Sequence, residues 1–329
     1  MDAIKKLNCK IYSTVSPESD EAAWLADRTK GIGGSDIGPI CGVSPFTSAR
    51  QIYLTKTGQF PDNQSPSTTA QERMKWGRLL EPVIADEYGR RTGDKLIVVD
   101  ALLQHKDYPW ALASVDRLIV DDNGDPVGIL EVKTTSEYNN EAWDSGDILL
   151  AYVYQLNWYF FVTGLTKGAF ACLVGGNKFY YYEVFRNDEL INDVIFPAAQ
   201  KFWEENVKQL KEPEMMAVDT DFVNTVYAEV VKNSEIMLED DTAEELAATV
   251  VRCKAEIKNL EAIMEEAQNR IKDRMTNHEI AYTSGHVIKW SPRQQNRIDS
   301  DKVRTLYPEI VEKVTKPINY RAMTIKEAK

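Results

Sequence analysis

Two runs of mostly apolar residues flank an Asn-Gly pair at residues 123–124 and predict a β-hairpin over residues 113–134. Asn-Gly favours a two-residue type I′ turn, because both central residues of that turn need positive φ. Side chains alternate faces along a strand, so counting outward from the turn assigns every residue to a face. Four polar side chains are expected to share one face, far from the turn: Ser114, Asp116, Glu131 and Lys133.

The chain up to about residue 212 has the pattern of an α/β fold. Apolar residues at helical spacing predict helices over residues 18–30, 45–57, 71–92, 147–163 and 188–211. Pro82 is expected to interrupt the third of them. Strands are predicted near residues 95–104, 167–174 and 178–186, with a glycine-rich loop at 31–38 and a mobile polar loop at 58–70. This order predicts an α/β fold in which helices cover both faces of a mixed sheet.

The pattern changes after residue 212. We predict a core domain over residues 1–212, an acidic connector over 213–242 and a C-terminal extension over 243–329. The connector is interpreted as a solvated helical segment or as a surface that repels DNA. The extension begins with an amphipathic helix over 243–275, typical of a packed helix or a short coiled coil. Its basic tail, from residue 286, is interpreted as an element that faces DNA or another subunit. The alternative is a solvated appendage.

Composition excludes several classes of protein. Hydrophobic residues make up 43% of the 329 positions, but no apolar run reaches the length of a membrane span. The first residues lack a signal-peptide core, so a cytoplasmic location is expected. Four scattered cysteines without a CxxC pair argue against a zinc or iron–sulfur site. The net charge of −12 argues against nonspecific coating of nucleic acid, although a local basic channel fits it.

The expected pairing of Asp116 with Glu131 is costly, because like charges directly opposite each other destabilise a strand pair. The neighbouring residues are apolar on both faces, as in a central strand pair, where unpaired carboxylates are expensive. A hard divalent cation such as Mg²⁺ would offset that cost. Lys133 beside the pair would stabilise a developing charge or help to activate a water. The alternative is an ordinary polar hairpin end with a Glu-Lys contact.

Three further features are candidates for the same site. Glu81 is placed to complete a metal shell from the 71–92 helix, or is an exposed helical Glu. Gln155 lies inside an apolar helix, where a buried amide needs a partner, either backbone or a phosphate or water beside a metal. The loop at 31–38, with Arg28 and Ser35, would present backbone N–H groups to a phosphate. It lacks the Gly-Lys-Ser/Thr ending of a nucleotide-binding P-loop.

An ordered set of short motifs spans about residues 15–205: Trp24, Arg28–Gly38, Gly77–Pro82, Ser114–Asp116, Leu130–Lys133 and Tyr154–Leu156. In this order they resemble the YqaJ-like viral recombinases, phage-type recombination exonucleases related to lambda exonuclease. The resemblance implies a PD-(D/E)xK, restriction-endonuclease-like core with a mixed sheet flanked by helices. A helical and β C-terminal extension follows that core.

The resemblance also implies roles for individual residues. Asp116, Glu131 and the Val132 carbonyl would bind Mg²⁺, or Mn²⁺ in its place, with two ions in the site and Glu81 assisting. Lys133 would act on the attacking water, and Gln155 would place that water or the phosphate. A second set of residues would contact DNA: Arg28, Ser35 and Ser114 at the 5′-terminal phosphate, with Trp24 and Tyr154 nearby.

By the same resemblance, the activity is 5′-to-3′ digestion of double-stranded DNA ends, which leaves 3′ overhangs for phage-type recombination. A RecT/Red-beta-like single-strand annealing protein would be the partner, and a toroidal homotrimer would enclose the DNA. Two alternatives remain open: a structure-specific endonuclease of the same fold, and a noncatalytic DNA-binding or assembly module. The cysteine pattern disfavours a Cas4-like nuclease with an iron–sulfur cluster.

Overall fold

The computed structural model describes residues 2–60, 68–316 and 320–326. Most of the predicted polar loop at 58–70 lies outside these residues, and the helix after it begins at Thr68. The chain divides into two compact units, Met1–Val226 and Tyr227–Lys329.

Helices and strands alternate in the first unit. Its α-helices are α1 Asp2–Lys5, α2 Pro17–Arg28, α3 Gly34–Ile40, α4 Ala49–Thr57, α5 Thr68–Thr92, α6 Asn140–Ser145, α7 Leu150–Thr163, α8 Phe196–Lys201 and α9 Thr220–Val226. Its strands are β1 Cys9–Ser13, β2 Lys95–Val98, β3 Leu102–His105, β4 Leu112–Ala113, β5 Arg117–Val120, β6 Pro126–Thr135, β7 Lys167–Val174 and β8 Lys178–Phe185. Single π-helical turns at Leu190–Ile195 and Phe202–Val207 flank α8.

A five-stranded sheet with the order β2-β5-β6-β7-β8 forms the centre of this unit. Only β6 and β7 run parallel, joined through α7, and the other neighbours are antiparallel. A parallel pair needs such a crossover connection. Because the sheet contains both parallel and antiparallel neighbours, it is a mixed sheet. Strands β1, β3 and β4 form a separate antiparallel sheet.

Hydrophobic contacts cover both faces of the central sheet. On one face, Leu118 and Ile129 pack in the main core with Phe160 of α7. On the other face, Ile119 and Leu130 pack in a smaller cluster with the α5 residues Ile84, Ala85 and Tyr88. The predicted α/β class, with a mixed sheet flanked by helices, is therefore confirmed.

The expected interruption of the long helix at Pro82 is wrong. Helix α5 continues through Pro82 to Thr92. A proline removes one backbone donor and costs helix stability. The buried residues Ile84, Ala85 and Tyr88, which hold the C-terminal half of α5 on the sheet, offset that loss.

The predicted type I′ turn is also wrong, although the register it gave is correct. Gly124 alone of the Asn-Gly pair has positive φ, and its N–H donates to Asp121 O across 3.0 Å. A register shift between Ile119 and Val120 absorbs the longer turn. At the other end of the hairpin Arg117 therefore pairs with Leu130, as the sequence predicts.

The first arm of the predicted hairpin is not one strand. It is broken at residues 114–116, because β4 pairs with β3 in the separate sheet and β5 with the central one. Ser114 is consequently outside the β5–β6 ladder and is not paired with Lys133 there.

The boundary between the units differs from the predicted one at residue 212. Residues up to Val226 belong with the first unit, where the buried Asp219 accepts hydrogen bonds from Ser48 and Gln51 of the α4 region, each across 2.7 Å. The connector after that point contains no α-helix between residues 227 and 240. A helical connector over 213–242 is therefore wrong except for the short helices up to Val226.

The second unit contains the predicted long helix, α10 Asp241–Met275. A two-stranded hairpin follows, β9 Ile280–Tyr282 and β10 Val287–Lys289. Two short helices then lie in the basic tail, α11 Ser300–Leu306 and α12 Pro308–Val314. This arrangement confirms a C-terminal extension of helices and strands.

Candidate active site

Asp116 and Glu131 lie side by side at the end of the hairpin. Asp116 immediately precedes β5, and its Oδ2 accepts a hydrogen bond from Val132 N on β6 across 2.8 Å. The β5–β6 register that pairs Arg117 with Leu130 brings Glu131 next to it. The sequence thus predicted the meeting of these two carboxylates, although the chain at Asp116 is a bend and not a strand.

Glu131 is buried, with 3% of its surface exposed. Its Oε1 accepts hydrogen bonds from Lys133 Nζ across 2.7 Å and from Gln155 Nε2 across 2.6 Å. Its Oε2 is buried without a hydrogen-bond partner among the described residues. A buried carboxylate oxygen without a partner costs free energy, and a cation is the ligand that would satisfy it.

Burial raises the pKa of both carboxylates. Burial, and next the charge of Glu131, raise the pKa of Asp116 to about 7. Burial also raises the pKa of Glu131, against the opposing effect of Lys133. Burial therefore makes ionisation of both groups more costly than in water, as expected for carboxylates that share a buried site.

Lys133 projects from β6 into the same cluster. Burial by itself would lower the pKa of this ammonium, but Glu131 and Asp116 together raise the pKa above its ordinary value. Its Nζ donates to Gln155 Oε1 across 3.1 Å and lies 4.5 Å from the Tyr152 ring centroid. The Lys133 ammonium is therefore charged and fixed in position beside the carboxylates.

Helix α7 supplies the other wall of the site. Gln155 and Tyr159 are one turn apart, and Gln155 Nε2 donates to Tyr159 Oη across 2.9 Å. Among the described residues, the partners of the Gln155 amide are the side chains of Glu131, Lys133 and Tyr159, and not backbone groups. The sequence analysis missed Tyr159, although its spacing of four residues from Gln155 was a usable signal.

Glu81 reaches the site from α5, as predicted. Its Oε1 accepts from Arg117 Nη1 across 2.5 Å, and the same nitrogen donates to Asp116 O across 2.7 Å. Glu81 is thus oriented by the Arg117 guanidinium at the rim of the carboxylate pair. Arg117 was not predicted, because a buried arginine in an apolar strand has no distinctive sequence signal.

The three residues expected at a terminal phosphate line one cavity. Arg28, Ser35 and Ser114 surround a space of about 300 Å³ that also reaches Asp116 and Glu131. Arg28 Nη2 donates to Ser35 Oγ across 2.9 Å. The structure therefore places a cationic, hydroxyl-lined cavity directly beside the carboxylates.

The glycines at residues 31–38 serve packing more than phosphate access. A Cβ on Gly34 would lie 2.4 Å from the Tyr159 ring, and one on Gly38 would lie 2.8 Å from Ala151, so both glycines let α3 approach α7. The Gly33 N–H is occupied by Asp36 Oδ2 across 2.8 Å. The Gly33 N–H is therefore not available to bind a phosphate.

Trp24 lines the cleft, and Tyr154 does not. The Arg28 guanidinium lies 4.6 Å from the Trp24 ring centroid, a cation–π contact at the cavity wall. Tyr154 packs instead against the main core, because it projects from α7 away from the face that bears Gln155 and Tyr159.

A second cavity of about 590 Å³ adjoins the first and shares its carboxylates. Lys133, Val132 and Glu81 line it, together with Arg78, whose Nη2 pairs with Glu21 across 2.7 Å. The oxygen atoms available here fit a hard cation. They are the carboxylates of Asp116 and Glu131, of which Glu131 has the unpartnered buried Oε2, and the Val132 carbonyl. No group of three His, Cys, Asp or Glu side chains in metal-binding positions occurs in residues 2–60, 68–316 and 320–326.

No α-helix within the described parts of the chain has the length and apolar content to cross a membrane.

Comparison with solved structures gives partial likenesses. An alkaline exonuclease from Laribacter hongkongensis is 19% identical with a TM-score of 0.45, over 57% of this chain and 95% of that one. A phage-related exonuclease from Haemophilus somnus is 12% identical with a TM-score of 0.41, over 55% of this chain and 96% of that one.

Sequence comparison is more informative. Residues 23–166 match the YqaJ-like viral recombinase domain, and they include the carboxylates, Lys133 and Gln155. The uncharacterized protein YqaJ of Bacillus subtilis is 36% identical over 314 residues, which cover 94% of this chain and 95% of that protein. The chain belongs to the family of YqaJ-like viral recombinases.

Proposed function

We propose that this protein is a Mg²⁺-dependent exonuclease that digests double-stranded DNA from its ends in the 5′-to-3′ direction and leaves 3′ single-stranded overhangs. The observation that carries the proposal is the unpartnered, buried Glu131 Oε2 next to Asp116 and Lys133. Membership of a viral recombinase family supports a role in phage-type recombination.

Asp116 and Glu131, with the Val132 carbonyl, are the proposed holders of Mg²⁺, and Mn²⁺ is the proposed substitute. When bound, the ion supplies Lewis-acid chemistry, which activates water and stabilises charge on the phosphate. Glu81 stays oriented toward this group by Arg117. The like-charge repulsion between the two carboxylates is the cost that the cation offsets.

Lys133 is the proposed partner of the attacking water. Its ammonium is held between Glu131 and Gln155, so it is fixed before substrate arrives. A fixed cation at that point stabilises negative charge that develops on the phosphate without having to reorganise. Gln155, anchored by Tyr159, keeps both Glu131 and Lys133 in place and orients the water or the phosphate.

The neighbouring cavity is the proposed pocket for the 5′-terminal phosphate. Arg28 offers a guanidinium, and Ser35 and Ser114 offer hydroxyl groups on the same cavity wall. Anchoring the terminal phosphate there would place a defined phosphodiester bond at the carboxylates, which is catalysis by positioning. Trp24 would support Arg28 and contact the DNA end.

The proposed assembly is a homotrimeric ring around DNA, and the proposed partner is a single-strand annealing protein that binds the 3′ overhang. Both rest on the resemblance of the sequence motifs to the phage-type recombination exonucleases. An acidic chain of net charge −12 fits a ring in which basic groups concentrate at the DNA channel.

A digestion assay tests the activity. Linear duplex DNA with a 5′ phosphate on one strand only is incubated with and without Mg²⁺, beside a closed circular duplex. Loss of the phosphorylated strand alone, only with Mg²⁺ and with the circle intact, is the expected result. Cutting of the circle would show that the protein is an endonuclease. Absence of any cleavage would indicate a noncatalytic DNA-binding module.

Replacing Arg28 with alanine is expected to remove most of the preference for 5′-phosphorylated ends. A bidentate charge-assisted contact is lost, so we expect a fall on the order of tenfold in the rate on phosphorylated ends and little change on 5′-hydroxyl ends. The measurement is the ratio of the two rates. Arg90→Ala, at the far end of α5 on an exposed surface, is the matched control. An unchanged ratio in the Arg28 variant would remove this residue from the pocket.

Without metal, the free energy of unfolding is expected to decrease as pH rises from about 4 to about 7, because the pKa of Asp116 is about 7 in the folded protein and near 3.8 in the unfolded chain. The folded state holds this proton more tightly, so stability is lost as the proton leaves. Thermal unfolding in a chelator between pH 5 and 8 measures the slope, which Asp116→Asn should flatten and Asp86→Asn should not. Added Mg²⁺ should stabilise more at the higher pH, since binding requires the ionised carboxylate. A slope that Asp116→Asn leaves intact would contradict this.

A further inference from the structure

Helix α10 has a strict heptad pattern along almost its whole length. The first repeat position holds Val250, Ile257, Met264 and Ile271. The fourth position holds Leu246, Cys253, Leu260 and Ala267. Spacings that alternate between three and four residues keep one apolar seam facing a partner helix. With 35 residues, α10 is about 52 Å long at 1.5 Å per residue.

This seam is exposed within the second unit. Leu246 and Leu260 are each 63% exposed, and Ile257 and Met264 are more than half exposed. A single amphipathic helix gains most of its stability in water from packing its apolar face. The seam therefore requires a partner that the other described residues of the second unit do not provide.

We propose that α10 pairs with α10 of a second copy of this protein as a two-stranded antiparallel coiled coil. The seam is self-complementary in that orientation. With the helices fully overlapped, Ile257 lies opposite Leu260 of the second copy, Val250 opposite Ala267, and Met264 opposite Cys253. Each residue at the first repeat position thus lies opposite a residue at the fourth repeat position of the second copy. Every layer of the seam is therefore paired.

The flanking charges favour the antiparallel orientation. In the full-overlap arrangement Lys254 faces Glu261 of the second copy, and symmetry repeats that attractive pair. In a parallel in-register pair, Glu256 would face Glu261 instead, and the repulsion would also occur twice. Charges that flank the seam set orientation and partner choice in coiled coils. Because the seam and its flanking charges match themselves, a second copy is the partner that fits.

The mass of the full-length protein in solution tests the pairing. Leu260→Asp puts a charge in the central layer of the seam, and it is expected to halve the mass of the wild-type particle, from two chains to one or, with the first units in trimeric rings, from two joined rings to one. Asn259→Asp, which adds the same charge outside the seam, should leave the mass unchanged. A wild-type monomer, an unchanged mass for Leu260→Asp, or a fall to one third would each overturn the proposal. Digestion by the Leu260→Asp variant shows that the first unit is still folded.

A charge exchange tests the orientation. Glu261→Lys is expected to weaken self-association about tenfold by replacing two attractive pairs with two repulsive ones, and adding Lys254→Glu should restore it. In a parallel pair, Glu261→Lys would strengthen association by removing the contact with Glu256. Strengthening, or failure of the second substitution to restore, would overturn the antiparallel arrangement.

Oxidative cross-linking gives an independent readout. In the antiparallel pair Cys253 lies opposite Met264 of the second copy, so the wild-type protein should not form a disulfide-linked dimer under a mild oxidant. Met264→Cys should form one readily, whereas Ala262→Cys, off the seam, should not. Rapid cross-linking of wild-type protein through the exposed Cys253 would show a parallel pair.

Discussion

Replacing Glu131 with glutamine is expected to reduce cleavage on the order of 10³-fold, because the variant keeps the shape of the side chain and loses its charge. The unpartnered Oε2 is the atom best placed to bind a cation. An amide in its place offers a neutral oxygen or an N–H group that repels the ion. The hydrogen bond from Lys133 also loses its charged acceptor.

The variant should nevertheless fold at least as well as the wild-type protein when metal is absent. Burial raises the pKa of Glu131, so the folded protein disfavours its ionised form. A neutral amide removes that cost and the repulsion with Asp116. Single-turnover cleavage of linear duplex, DNA binding and thermal unfolding in a chelator are the three measurements. Glu183→Gln, on the exposed face of β8 in the same sheet, is the control. Activity within about tenfold of wild type would remove Glu131 from the metal site.

Replacing Lys133 with alanine is expected to abolish cleavage to a similar degree, on the order of 10³-fold, while DNA affinity changes little. Its ammonium contacts Glu131, Gln155 and the Tyr152 ring, so it acts on the chemistry within the cluster and not as a surface contact for DNA. The rate of the chemical step should therefore fall while the affinity for DNA stays nearly the same.

The measurements are single-turnover rates and equilibrium binding to a duplex end in Ca²⁺, compared with Lys178→Ala on the exposed edge strand as control. Loss of binding in proportion to loss of cleavage would identify Lys133 as a phosphate contact. Retention of more than about one tenth of the cleavage rate would exclude Lys133 as the partner of the attacking water.

Local patterns in the sequence were enough to predict the fold class and most elements. Apolar periodicity identified the helix at α7 and the strands β7 and β8 close to their observed bounds. The hairpin register followed from the Asn-Gly position even though the turn type was wrong. Every residue of β5 is buried, and its alternate residues pack into different cores on the two faces of the sheet, so a slip by one residue would move each side chain into the wrong core.

Errors arose where long-range packing overrides a local preference. Pro82 was expected to break α5, but the contacts of Ile84 and Tyr88 with the sheet keep the helix continuous. The glycines at 31–38 suggested a phosphate loop, and their main structural role is close contact between α3 and α7. Neither packing partner is adjacent in sequence, so no local signal could reveal it.

The sequence by itself determined the chemistry of the candidate site, because Asp116 immediately precedes β5, Glu131 and Lys133 lie on β6, and one short turn joins the two strands. The register of that hairpin brings the three residues to the same end of the strand pair. Tertiary structure decided how those groups are oriented and charged. Gln155 and Tyr159 come from a helix beyond the hairpin, and Arg28 and Ser35 come from the start of the chain. The contacts of these residues depend on burial, which only the packed fold creates. The same burial leaves Glu131 Oε2 unpartnered and raises the pKa of both carboxylates.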